Sequence, residues 1–166
     1  MGGVGMSGSL YRALPSAKRV ELLTRLIAER KDSKALFIQR MAKRGGFRPV
    51  TLLQWPAAKL AQEVVRMNAQ TADDEVDLLQ ALYVDFEPAI QTDFMQAAGV
   101  KGEGAVIDEA LEPPYADAAA VARAAAVVRE KHGEDGVHYL RVIARYNPAG
   151  WPGIEGVVAA LEPAAT

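Results

Sequence analysis

The 166-residue chain contains no cysteine, and aromatic residues make up only 7% of it. The absence of cysteine excludes disulfides, iron–sulfur clusters, thiolate zinc sites and a cysteine nucleophile. No stretch of the sequence approaches the roughly 18 consecutive apolar residues that indicate a membrane-spanning helix. The composition therefore predicts a cytoplasmic protein with no membrane partner.

The N-terminal segment 1–9 is rich in glycine and has no charged residue. It lacks the basic and apolar regions of a secretory signal peptide. We expect a disordered leader over residues 1–9, followed by a single all-helical domain over residues 10–166.

Charge is distributed very unevenly along the chain. Residues 10–50 contain 11 Lys and Arg against three acidic residues, a formal charge of +8. Residues 71–117 contain twelve acidic residues and the single base Lys101, a formal charge of −11. Blocks of opposite charge on this scale indicate electrostatic docking, either within the fold or between molecules.

Apolar residues recur at helical spacing through most of the chain, as Val20, Leu23 and Leu26 illustrate. Glycine and proline separate these periodic segments, for example at Gly45–Gly46 and at Pro88. The pattern predicts an all-α fold, an irregular orthogonal bundle of about seven or eight short helices. A short superhelix of helical pairs is the alternative.

After Gly99 the chain is predicted to contain four further helices, the last of them a short one that begins at Trp151–Pro152. Residues 105–112 are predicted to form a short helix, and no strand hairpin is expected. Residues 116–132 and 137–146 are predicted to form two helices joined by a tight turn at Gly133–Gly136.

The only two histidines, His132 and His138, flank that turn together with Glu130 and Asp135. Imidazole and carboxylate groups bind divalent metals or transfer protons, and a helical hairpin would bring these four side chains together. Neither histidine has the helical spacing to a second ligand that is typical of bundle metal sites. We therefore expect solvated turn residues and neither cofactor nor metal. A metal-binding protein or an enzyme stays an alternative.

Basic and aromatic side chains cluster around Gly45–Gly46. Arginine and aromatic residues dominate the energetics of protein interfaces, so we predict a partner-binding site here. The predicted contacts are Arg40, Lys43, Arg44, Phe47, Arg48 and Trp55. For Trp55 the favoured interpretation is a core residue where a helix begins, with the partner contact as the alternative.

The sequence thus predicts a small cytoplasmic protein–protein interaction module, an adaptor or accessory subunit. Its basic N-terminal third would dock on an acidic protein surface or on a second copy of the chain. A nucleic-acid-binding protein that uses the same basic residues is an alternative. The sequence pI of 5.7 argues against a dedicated nucleic-acid binder.

Overall fold

A computed structural model of the chain describes residues 8–162. This range contains eight α-helices and one two-stranded hairpin of four paired residues, so the all-α prediction is confirmed. The first seven residues of the predicted leader lie outside the described range. The helices are α1 (Ser16–Glu29), α2 (Lys31–Gly45), α3 (Pro49–Leu53), α4 (Ala57–Met67), α5 (Glu75–Gln80), α6 (Ala89–Ala98), α7 (Ala118–Tyr146) and α8 (Ile154–Leu161).

The chain divides into two compact units, Met1–Leu78 and Leu79–Thr166. In the first unit, α1 packs against α2 and α4, and α2 also contacts α3 and α4. In the second unit, α7 packs against α6 and α8. Each unit is a small bundle of helices around apolar side chains of its own.

The helices of the first unit form where apolar side chains recur on one face. Leu22, Leu23, Leu26 and Ile27 are all buried on α1, at spacings that place them along a single stripe. Helix α2 ends at Gly46, whose φ of 69° is left-handed and therefore favours glycine.

The acidic segment begins with a 3₁₀ turn over Ala72–Asp74. Thr71, just before the turn, and Asp74, at its end, form a capping box. Glu75 is buried, and its carboxylate accepts a hydrogen bond of 2.9 Å from the backbone N–H of Tyr11. Glu75 therefore links the start of α5 to the residues that precede α1.

Residues 105–112 do not form the predicted helix. Instead β1 (Gly102–Glu103) pairs antiparallel with β2 (Val106–Ile107) across a turn that contains Gly104. Gly104 has a φ of 60°, and a Cβ at Gly102 would lie 2.2 Å from the carbonyl oxygen of Val106. Helix propensity is a weak preference, and the two glycines allow a tight hairpin that outweighs it.

Helix α7 is interrupted at Gly133, where φ is 58° and ψ is −131°. The side chain of Asp117 caps its start by accepting a 2.8 Å hydrogen bond from the N–H of Ala120. A Cβ at Gly136 would lie only 2.5 Å from the carbonyl oxygen of Val128. In a straight helix, Val128 and Gly136 would lie about 12 Å apart along the axis, because each residue advances about 1.5 Å. Their close contact therefore requires a sharp bend at Gly133. The turn predicted from the sequence is present.

Aromatic rings fill the core of the second unit. The ring of Phe94 on α6 meets Tyr139 edge-on at 5.6 Å and Trp151 at 4.8 Å between centroids. The ring of Tyr115 also packs against Trp151, with the two centroids 5.3 Å apart. Trp151 is fully buried, so the Trp–Pro segment before α8 anchors the C-terminal helix to the unit.

Candidate functional site

Two of the predicted contact residues, Arg40 and Arg44, bind groups within the first unit. The guanidinium of Arg40 donates to both carboxylate oxygens of Asp74, the longer of the two bonds being 3.1 Å. Arg44 donates to the carbonyl oxygen of Asn68 at 2.9 Å. Both arginines thus hold the segment that follows α4, and Arg40 is largely withdrawn from solvent.

The Arg40–Asp74 pair changes the acidity of the Asp74 carboxyl. Burial raises the pKa of the Asp74 carboxyl, but hydrogen bonds from Arg40 and Thr71 outweigh this effect. The net result is a pKa below its ordinary value. The Arg40–Asp74 pair therefore joins the basic and acidic segments inside the first unit, as the hydrogen bond from Tyr11 to Glu75 also does.

Phe47 and Trp55 are both half-buried and contact each other, with ring centroids 5.4 Å apart in an edge-to-face arrangement. The Phe47 ring lies against Gly45, at the end of α2. The ammonium of Lys59 lies 4.1 Å from the centroid of the Trp55 ring, a cation–π contact. These two aromatics connect α2, α3 and α4, so most of their surface is already occupied.

Lys43 and Arg48 are exposed. Within residues 8–162 neither side chain forms an ion pair or a hydrogen bond. Arg44 is exposed as well, but its guanidinium donates to Asn68, whereas Lys43 and Arg48 have no such contact in that range.

The structure adds two apolar residues that sequence reasoning missed. Val50 and Leu53 lie one turn apart on α3, and 68% and 57% of their surfaces are exposed. Leu52, between them, is completely buried and holds α3 against the unit. We call Arg48, Val50 and Leu53 the α3 surface.

Sequence reasoning had a partial signal for this surface. The segment 47–54 reads equally well as an extended stretch or as a short helix after Pro49. In a helix, Val50 and Leu53 share a face that Leu52 does not. Without the conformation, no one of the three could be assigned to the core.

The four candidate metal ligands are not brought together. The Nε2–H of His132 donates to Asp93 Oδ2 at 2.7 Å, and Lys131 contacts the same oxygen at 3.0 Å. His138 is buried and hydrogen-bonded through Nδ1 to the hydroxyl of Tyr83.

Glu130 and Asp135, the other two candidates, are exposed. No three His, Asp or Glu side chains form a metal-binding group in the part of the chain that the structure describes. The four side chains therefore form no single cluster around the turn. The expectation of solvated turn residues was wrong for His138, which is buried, while His132 is half-buried.

The carboxylate of Asp93 joins α6 to α7. A hydrogen bond from Lys131, supported by one from His132, lowers the pKa of Asp93 below its ordinary value. Both donors immediately precede Gly133, so this contact fixes the end of the first segment of α7.

None of the helices in the described range has the length and apolarity that crossing a bilayer requires. No protein-family model, curated protein or solved structure matches this chain. The chemistry of the surface itself is therefore the basis for a function.

Proposed function

We propose that this protein is a small cytoplasmic interaction module, an adaptor or accessory subunit that docks an acidic protein partner on the α3 surface. The observation that carries the proposal is the exposure of Val50 and Leu53 on one face of α3, directly after the exposed cation Arg48. An apolar patch with a charged rim is the usual anatomy of a protein interface. The absence of cysteine supports a reducing compartment.

The apolar pair supplies the affinity in this proposal. Full burial of an aliphatic side chain is worth about 1.5–3 kcal/mol, so Val50 and Leu53 would act as the anchors. Arg48 and Lys43 contribute mainly to the rate of association and to selectivity, because charges at the rim of an interface are screened by solvent.

A protein partner is favoured over nucleic acid because the Trp55 ring is already in contact with other side chains. Single-stranded nucleic acid is bound by stacking bases on free aromatic faces. Lys59 covers one face of Trp55, and Phe47 packs edge-to-face with the same ring. The aromatic pair therefore supports the fold and offers little stacking surface.

Site-specific photocrosslinking tests the proposal. A photoreactive amino acid placed at position 50 should form an adduct with one protein in lysate of the source cells. The matched control places it at position 127, an exposed valine of α7. The adduct at position 50 should be absent from the control and should weaken in high salt.

The captured protein is then purified and its affinity for the chain is measured. We expect the variant Leu53→Asp to bind it at least about tenfold more weakly, a loss of about 1.4 kcal/mol or more. Equal adducts at positions 50 and 127, or unchanged affinity of Leu53→Asp, would refute the proposal. An adduct that nuclease removes would replace it with nucleic-acid binding.

A further inference from the structure

We infer that the acidic partner of the α3 surface is a second copy of this chain, which presents the β1–β2 hairpin. This inference rests on the proposed function and names its partner. The sequence supports it because the chain carries its own strongly acidic segment, residues 71–117, which contains the hairpin.

The hairpin exposes an apolar residue within an acidic rim. Val106 on β2 is 55% exposed, and Glu103, Asp108 and Glu109 around it are exposed as well. Together with Lys101, the one base in its lining, these residues line a surface groove of about 760 Å³ formed by the hairpin and the residues on either side of it.

The hairpin and the α3 surface are both apolar at the centre and differ in the charge around it. Each presents aliphatic side chains, Val106 on one and Val50 with Leu53 on the other. The charges beside them are mainly of opposite sign, with three acids and Lys101 at the hairpin and Arg48 at the α3 surface. Glu103 and Glu109 form no ion pair within the described range, as is also true of Arg48. Each surface thus offers what the other lacks.

Contact between two different surfaces is heterologous, so one copy can bind a partner through each surface at once. Copies would join head to tail, and the assembly would grow with concentration until a ring closes. Because the rim is charged and exposed, salt should weaken the association.

The test uses two variants in sedimentation velocity over a wide range of concentration, at low and at high salt. The α3 variant combines Arg48→Glu with Val50→Asp, and the hairpin variant combines Val106→Lys with Glu109→Lys. We expect wild type to associate at low salt and each variant alone to stay monomeric, with affinity at least about tenfold weaker. The matched control Val127→Asp should associate like wild type.

Mixing the two variants is the decisive step. The α3 variant keeps a native hairpin, and the hairpin variant keeps a native α3 surface. The mixture should therefore form a heterodimer with one copy of each variant, and this complex should not grow further. Its formation also shows that both variants fold.

A wild type that is monomeric at every concentration overturns the inference. So does a mixture that stays monomeric, or an α3 variant that still associates with itself. None of these outcomes touches the proposed function if position 50 crosslinks to a different acidic protein. If position 50 captures no protein, the proposed function itself fails.

Discussion

The α-carbon of Gly136 packs directly against the backbone carbonyl of Val128, eight residues earlier in the chain. A Cβ at position 136 would lie 2.5 Å from that oxygen, closer than van der Waals radii allow. The sharp bend at Gly133 and this close approach together set how the two segments of α7 cross.

Replacing Gly136 with alanine should destabilise the protein by about 1–3 kcal/mol, the usual range for overpacking a tight contact. The obstructing atom belongs to the backbone and has little freedom to move. Urea unfolding followed by far-ultraviolet circular dichroism measures the change.

The matched control is Gly156→Ala. Gly156 lies within α8, where an added Cβ would meet no atom within 4 Å and φ is not strained. Alanine there should stabilise the helix by about 0.5–1 kcal/mol. Equal effects of the two substitutions would contradict the packing argument.

Asp74→Ala should lower stability by about 2 kcal/mol, because it removes the capping box and leaves Arg40 without its carboxylate partner. Asp73→Ala, an exposed acid in the same turn, should change stability by less than about 0.5 kcal/mol. Denaturant unfolding at neutral pH compares the two variants.

The same pair predicts an acid dependence. The pKa of Asp74 is lower in the folded chain than its ordinary value, so the stabilisation is complete above about pH 4. It is lost as pH falls through the lowered pKa. The Asp74→Ala variant should lack this part of the acid-induced loss of stability, and an unchanged acid profile would show that the pair is energetically silent.

Three buried tyrosines predict an alkaline dependence. Burial raises the pKa of Tyr11 to about 12, and it also raises the pKa of Tyr83 and Tyr139. Their contribution to stability is therefore complete below about pH 10, the ordinary pKa, and is lost as pH rises through the raised values.

An ultraviolet titration of tyrosinate should show these groups ionising late, together with loss of helical circular dichroism. Tyr11→Phe should remove one late-titrating group. Ionisation of all tyrosines near pH 10, with the helices still present, would contradict the conclusion that these three hydroxyls are buried.

Tyr83 and Tyr139 should respond differently to loss of the hydroxyl. Tyr83→Phe removes the hydrogen bond to His138 inside the core and should cost about 1–3 kcal/mol. The hydroxyl of Tyr139 is buried and has no hydrogen-bond partner among the described residues. Tyr139→Phe should therefore be neutral or stabilising, and thermal melts of the two variants decide the matter.

Neighbouring leucines of α3 should separate folding from binding. Leu52→Asp places a charge in a completely buried position and should unfold the first unit. Leu53→Asp should leave the melting temperature almost unchanged, since the side chain is mostly exposed. A large loss of stability in Leu53→Asp would show that this side chain supports the fold.

Much of the helical layout could be predicted from local signals in the sequence. Gly46 and the turn at Gly133 both lie where local chemistry placed them, because caps and turns depend on nearby residues. The helix expected at 105–112 was wrong because pairing of β1 with β2 across Gly104 outweighs helix propensity.

The candidate site shows the limit of that reasoning. The sequence identified Arg40, Lys43, Arg44 and Arg48 as one basic cluster, without a way to separate them. The structure divides them, since Arg40 and Arg44 bind groups of the first unit and the other two do not.

Composition and pattern alone determined the helical class, the absence of thiol chemistry and the opposite charge of the two segments. Only the tertiary structure decided which charges are neutralised internally, which face of α3 points outward and that His132 and His138 have separate partners. Local periodicity indicates which secondary structure a segment prefers. The partner of a side chain depends on residues dozens of positions away, which packing alone brings together.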